Sequence, residues 1–305
     1  MTSVRYVCLF TATALLGGIP ARAQSPREGT LESISADHTQ VAARDANGLF
    51  IMSVEDQALK DSLKDWNKGD KAKVTVRMSG SKMVLIDIAP QVAPTDPIQR
   101  IGVMLAAAAV LLALTFILSW KNLRRVLFIG QDNRYSNSKC QISLWFGVLI
   151  TSYIAAVFFR AWYGGGAFIG NVNIPAHLAE ISGLSALTFA VSKGITQSKA
   201  AAASAAAAIA PAGVVVPTKT AAAAPSFPSD LLKDDSGNFD LGDFQMIVIT
   251  ALAFTVYLVQ IYQFLAAIQL RVAVTLPDVD STLLATFGLG QGAYLTKKAV
   301  TDIKQ

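Results

Sequence analysis

The chain has 305 residues, 52% of them hydrophobic and 15% charged, with a mean hydropathy of +0.44. Soluble domains run at about 45–50% apolar and about 25% charged; here the apolar residues fall in long runs, which excludes a purely soluble fold. The net charge of +5 is no argument for nucleic acid, because most of the excess flanks apolar runs, where it sets membrane orientation. Two cysteines, Cys8 and Cys140, exclude a disulfide framework and a paired-cysteine metal site.

Residues 1–23 read as a signal peptide. Arg5 gives the charged start, Val7 to Leu16 the apolar core, and Ala21-Arg22-Ala23 the small-residue cleavage pattern. Residues 24–95 then form a small extracytoplasmic domain. Strand candidates are Leu31 to Ile34, Gln40 to Ala43 and Leu49 to Val54, with Asn47-Gly48 as a turn. Ser53 with Asp56 predicts a capped helix whose apolar positions are Leu59, Leu63 and Trp66. Ala72 to Arg77 and Met83 to Ile88 are the last strands. Three strands, a helix and two strands is the order of an OB-like β-barrel; an SH3-like barrel is the alternative. Phe50 and Trp66 are too few as stacking aromatics for nucleic acid. His38, Met52, Met78 and Met83 show no ligand spacing for a soft metal, and no cofactor is expected.

Residues 96–120 comprise a linker end and the first span. Pro90, Pro94 and Pro97 predict a stiff, extended stretch over 90–100. Ile101 to Trp120 has the length of a transmembrane helix. Lys121, Arg124, Arg125, Arg134 and Lys139 follow it, which places residue 121 onward in the cytoplasm. The export signal demands the same orientation.

Residues 121–196 and 236–305 read as two copies of one unit. Tyr135 aligns with Phe239, Gln141 with Gln245, and Tyr153 with Tyr257. Ile174-Pro175 then matches Leu276-Pro277, Ser182-Gly183-Leu184-Ser185 matches Phe287-Gly288-Leu289-Gly290, and Lys193 matches Lys298. The period of about 104 residues is far too long for a solenoid, whereas duplicated halves of this size suit membrane folds. Each copy has a long span (142–162, 246–270) and a short one (176–192, 283–296), making five transmembrane helices. Both copies start in the cytoplasm, so they are parallel repeats. Trp145 and Trp162 suit the two membrane interfaces. Between the copies, residues 197–235 form an Ala/Pro-rich cytoplasmic linker.

Candidate functional residues gather at the short helices. His177 and Glu180 in the first copy, with Asp278 and Asp280 in the second, mark the outer starts of these helices. Acidic groups within membrane segments point to function, and a ring of them at a mouth would concentrate cations; helix capping is the alternative role. Gln141 and Gln245 open the long helices and predict amide hydrogen bonds between copies. Gly183, Gly288, Gly290 and Gly292 predict close helix packing.

No motif supports an enzyme. There is no Gly-x-Ser-x-Gly, no phosphate-binding loop and no His-Glu-x-x-His. The frame Asp132-x-Arg-Tyr-Ser-x-Ser-Lys-x-Gln141, with Leu276-Pro277-Asp278 and Gly288-Leu289-Gly290-Gln291, resembles an uncharacterised group of bacterial inner-membrane proteins over about residues 125–300. That resemblance implies location and architecture and no activity. The expected function is an oligomeric channel or transport-type assembly for a small ion or solute. The alternative is a membrane scaffold or sensor whose outer barrel binds an envelope partner.

Overall fold

A computed structural model describes residues 26–119, 122–130, 132–209, 222–233 and 238–300. The expected signal peptide and the middle of the expected linker lie outside the described residues. Two compact units divide the chain between Ala89 and Pro90.

The first unit is a closed five-stranded barrel. Its elements are β1 (Arg27–Ile34), β2 (Gln40–Asp45), β3 (Gly48–Ser53), α1 (Gln57–Ser62), β4 (Lys71–Ser79) and β5 (Lys82–Pro90). The strand order β1-β2-β3-β5-β4 closes because β1 pairs with both β2 and β4. The alternation in β4 shows why: Ala72, Val74 and Val76 point inward while Lys73 and Arg77 face solvent. Leu31, Val41, Met52, Leu63 and Leu85 fill the interior. Gly48 sits at φ +126°, a conformation that the turn between β2 and β3 assigns to glycine. The helix cap falls three residues later than the sequence suggests. Asp56, not Ser53, caps α1 by accepting from the Ala58 amide, because the Ser53 hydroxyl is drawn to the Met83 carbonyl across the sheet.

The second unit is helical. It contains α2 (Pro97–Leu118), α3 (Leu123–Leu127), α4 (Asn137–Gly164), β6 (Val172–Asn173), α5 (Ala176–Ile209), α6 (Ser229–Leu232), α7 (Leu241–Ala266), β7 (Val274–Thr275) and α8 (Ser281–Val300). Helices α4, α5, α8 and α7 form a ring in which each touches the next, and α2 lies outside it against α4 and α7. Trp145, Phe159, Ile181, Tyr257, Ile261 and Phe287 are buried inside the ring. By contrast α2 exposes Leu105, Val110, Leu112 and Ile117, as an all-apolar helix in lipid would.

Two helix–strand–helix segments, α4-β6-α5 and α7-β7-α8, thus follow one another with the same element order. Their strands pair in parallel, Val172 with Val274 and Asn173 with Thr275. The approaches to the long helices also correspond. A bridge joins Ile129 to Tyr135 in one segment and Lys233 to Phe239 in the other. Ser136 donates its amide to the Phe128 carbonyl, and Asp240 to Leu232, at 2.8 Å each.

The structure refines four expectations. First, among the described residues three helices, α2, α4 and α7, are long and apolar enough to cross a membrane. Helix α5 falls short in hydropathy because His177, Glu180, Ser182, Ser185, Ser192 and Lys193 interrupt its apolar residues, and α8 because of its glycines, threonines and Gln291. Second, α5 does not stop near residue 192 but continues to Ile209 through the alanine tract, whose propensity favours helix. Third, the extended proline stretch is also docked. Ala93 donates to Ile268, Leu270 donates to Gln91, and the Thr95 hydroxyl donates to the Leu265 carbonyl. Fourth, Trp145 is no interfacial anchor, being fully buried against Tyr257 and Phe287, whereas Trp162 is 72% exposed.

The tail of the expected linker is likewise docked. Asn133 donates to the Ala222 carbonyl, Asn137 donates to Leu231, and the Tyr135 amide donates to Asp230. Tyr135 also meets Phe227 edge-on at 5.4 Å. Polar loop composition conceals these contacts because each uses backbone or a short side chain.

Candidate functional site

Each candidate residue owes its place to a helix end or a helix face. At the end of the ring where α4 and α7 finish, the β6–β7 pair brings the starts of α5 and α8 together. Asp278 accepts from the Leu178 amide of α5 at 3.1 Å and from the Val279 amide at 2.8 Å. It therefore caps the helix of the opposite segment. The His177 Nδ1 lies 3.1 Å from Asp278 Oδ2 and 3.1 Å from the Val279 carbonyl. Asp280 caps its own helix through the Thr282 and Leu283 amides, and those bonds hold its carboxyl below the usual carboxylate range. Glu180 stands one turn beyond His177 on the exposed side of α5 and bonds to none of these groups. Of the four residues the sequence groups here, the geometry joins His177 and Asp278.

Arg160, which the sequence reading passes over, is the largest buried polar group at this end, with no exposed surface. Its guanidinium donates to the Asn171 carbonyl at 3.2 Å and to the Arg271 and Val272 carbonyls at 2.7 and 2.8 Å. It gathers the chain just before β6 and just before β7 into one hydrogen-bonded fork. A lone arginine inside an otherwise apolar span was the available signal.

Further along the ring runs a buried polar seam. Gln141 donates to the Thr250 hydroxyl of α7 at 2.7 Å, and Gln291 of α8 donates to the Gln141 carbonyl oxygen at 2.7 Å. Three helices are thereby joined through one amide. Gln245 takes no part, because it faces outward on α7; Thr250, five residues on, holds the inward position. The glycines divide similarly. A side chain on Gly290 would meet Ile249 of α7 at 3.4 Å and one on Gly288 would meet Leu184 of α5 at 3.8 Å, whereas Gly183 and Gly292 face open space.

At the opposite end of the ring Asp240 caps α7, accepting from Gly242 at 2.9 Å and Asp243 at 3.2 Å, and pairs with Lys297 of α8. Burial alone would raise its carboxyl pKa. The hydrogen bond from Lys297 and those from the two amides outweigh this, and the net direction is downward from the ordinary 3.8. A depressed folded pKa contributes stability that is complete above the ordinary value and is lost as the pH falls through the folded one. Asp240→Ala is expected to cost about 1–2 kcal/mol, since it removes a cap and an ion pair. Asp240→Asn keeps the cap, so its deficit against wild type should shrink below about pH 4. Thermal melts in detergent across pH 3 to 7, as an order-of-magnitude window around that value, check both outcomes.

No family model, curated protein or solved structure matches the chain.

Proposed function

We propose that the chain is an integral inner-membrane protein with its barrel outside and its C-terminus in the cytoplasm, in which two copies of one hairpin, fused in the same direction, build a homo-oligomeric transport-type assembly for a small ion or solute. The parallel β6–β7 pair, with corresponding hydrogen bonds at the start of each long helix, carries this reading. Inverted copies would bring the connections to opposite faces. Helices α5 and α8 complete five crossings. At 1.5 Å per residue, the 34 residues of α5 extend about 51 Å, well beyond a hydrocarbon core of about 30 Å. Ser182, Ser185, Thr188 and Gln291 are buried, so these helices keep polar side chains away from lipid. His177, Glu180, Asp278 and Asp280 would line the outer mouth.

Reconstitution in liposomes tests the reading. Flux of an ion or small solute above empty-liposome leak, reduced by Glu180→Gln, is expected; no flux of any common ion or solute removes it. Labels at Lys199 and Gln305 should react only from the cytoplasmic side, and reaction from outside intact cells would overturn the architecture.

A second reading is favoured by one observation. The barrel is a separate compact unit, and it exposes Leu49 and Ile51 on β3, apolar surface suited to a protein partner. As a scaffold or sensor the protein would lose a partner on deletion of residues 24–95, whereas a transporter would keep its flux.

A further inference from the structure

Inside the helical ring, between the Gln141 seam and the His177–Asp278 pair, three buried polar groups meet no hydrogen-bond partner among the described residues: the Trp145 indole N–H, the Ser152 hydroxyl and the Tyr257 hydroxyl. All three side chains are essentially without exposed surface. Serines in helices usually bond back to the carbonyl four residues earlier. Ser182 and Ser185 do so here, to Leu178 and Ile181. Ser152 does not; its hydroxyl faces that of Tyr257, and neither makes a hydrogen bond of full geometry. From Tyr257, α7 runs on to the end of the ring at which Asp278 stands. In the other direction Trp145 leads towards Gln141, one turn away on α4, and Gln291 has an unpartnered carbonyl oxygen of its own.

Each buried donor or acceptor left unpaired costs about 1–3 kcal/mol. Several of them along one interior line specify an occupant that can both donate and accept. The space also limits its size. Trp145 lies 6.4 Å from Tyr257 and 5.9 Å from Phe287, centroid to centroid, so the rings are in contact and a solute much larger than water would have to part them. The chemistry excludes metal ions, since the one buried charge on α4, α5, α7 and α8 among the described residues is the cation Arg160, and no carboxylate stands inside to replace a hydration shell.

We propose that Gln141, Trp145, Ser152, Thr250, Tyr257 and Gln291 form an interior site for neutral, water-sized molecules that donate and accept hydrogen bonds. The site deepens the transport reading, on which its use for permeation rests, by restricting the solute to that class.

Radiolytic hydroxyl-radical footprinting of the full-length protein in detergent tests it, because radicals arise from water bound next to a side chain. Trp145 and Tyr257 should be oxidised several-fold faster than Phe159, after correction for intrinsic reactivity, although all three are equally buried. Ser152→Val should suppress labelling at Tyr257; Tyr257→Phe, which keeps the ring stack, should suppress labelling at Trp145. Labelling no faster than at Phe159 overturns the site. Osmotic shrinkage of proteoliposomes separates the two readings. Ion flux without labelling removes the site and leaves transport; labelling without water or ion flux leaves the site and removes transport.

Discussion

Arg160→Met is expected to destabilise the helical unit by about 3 kcal/mol or more. Hydrogen bonds to a charged group contribute about 1.5–3 kcal/mol each, and this guanidinium serves three carbonyls from two chain segments. The Arg160 side chain has no exposed surface, so the loss exceeds that of an exposed arginine. Arg160→Lys should recover only part, because an ammonium is a point charge and cannot span the three acceptors as a planar fork does. Unfolding in mixed micelles, followed by the fluorescence of buried Trp145, gives the difference. A loss below about 1 kcal/mol would mean that the two loops hold together without it.

The second large effect is expected at Gln141. Gln141→Leu strands the Gln291 amide, at about 1–3 kcal/mol for a buried group, and removes the bond that Thr250 accepts, although Thr250 still donates to the Met246 carbonyl. The double replacement Gln141→Leu with Gln291→Leu should cost less than the sum of the two single changes, because it removes both ends of one bond. A coupling of about 1 kcal/mol or more in that cycle is the expected result. Gln245→Leu, on the outer face of α7, should be nearly silent. Equal costs at Gln141 and Gln245 would contradict the asymmetry of the two segments.

That asymmetry marks where sequence reasoning works and where it stops. The barrel is legible because alternation and turn residues act locally: the burial of Ala72, Val74 and Val76 follows from a period of two. Helices α2, α4 and α7 are legible because length and apolarity suffice. The element order of the two segments is legible from matching residues. What escapes depends on rotation about a helix axis. Gln141 and Gln245 align in sequence, yet one faces the ring and the other the outside, and Thr250 and Gln291 supply the contacts expected of Gln245. Arg160 escapes because its partners are backbone carbonyls, which no side-chain pattern reveals. His177 and Asp278 were legible as candidates but not as a pair, since Asp278 caps the helix of the other segment.

The parallel β6–β7 pair bears on how the chain tolerates being cut. Two strands of two residues each have little stability of their own; they persist because Arg160 and the four helices hold them. The β6–β7 pairing, the bonds from Arg160 to Arg271 and Val272, and the packing of α4 on α7 and of α5 on α8 all join residues before 210 to residues after 221. A break in the intervening stretch would convert the protein into a heterodimer whose fragments, synthesised separately, would still recognise each other and assemble.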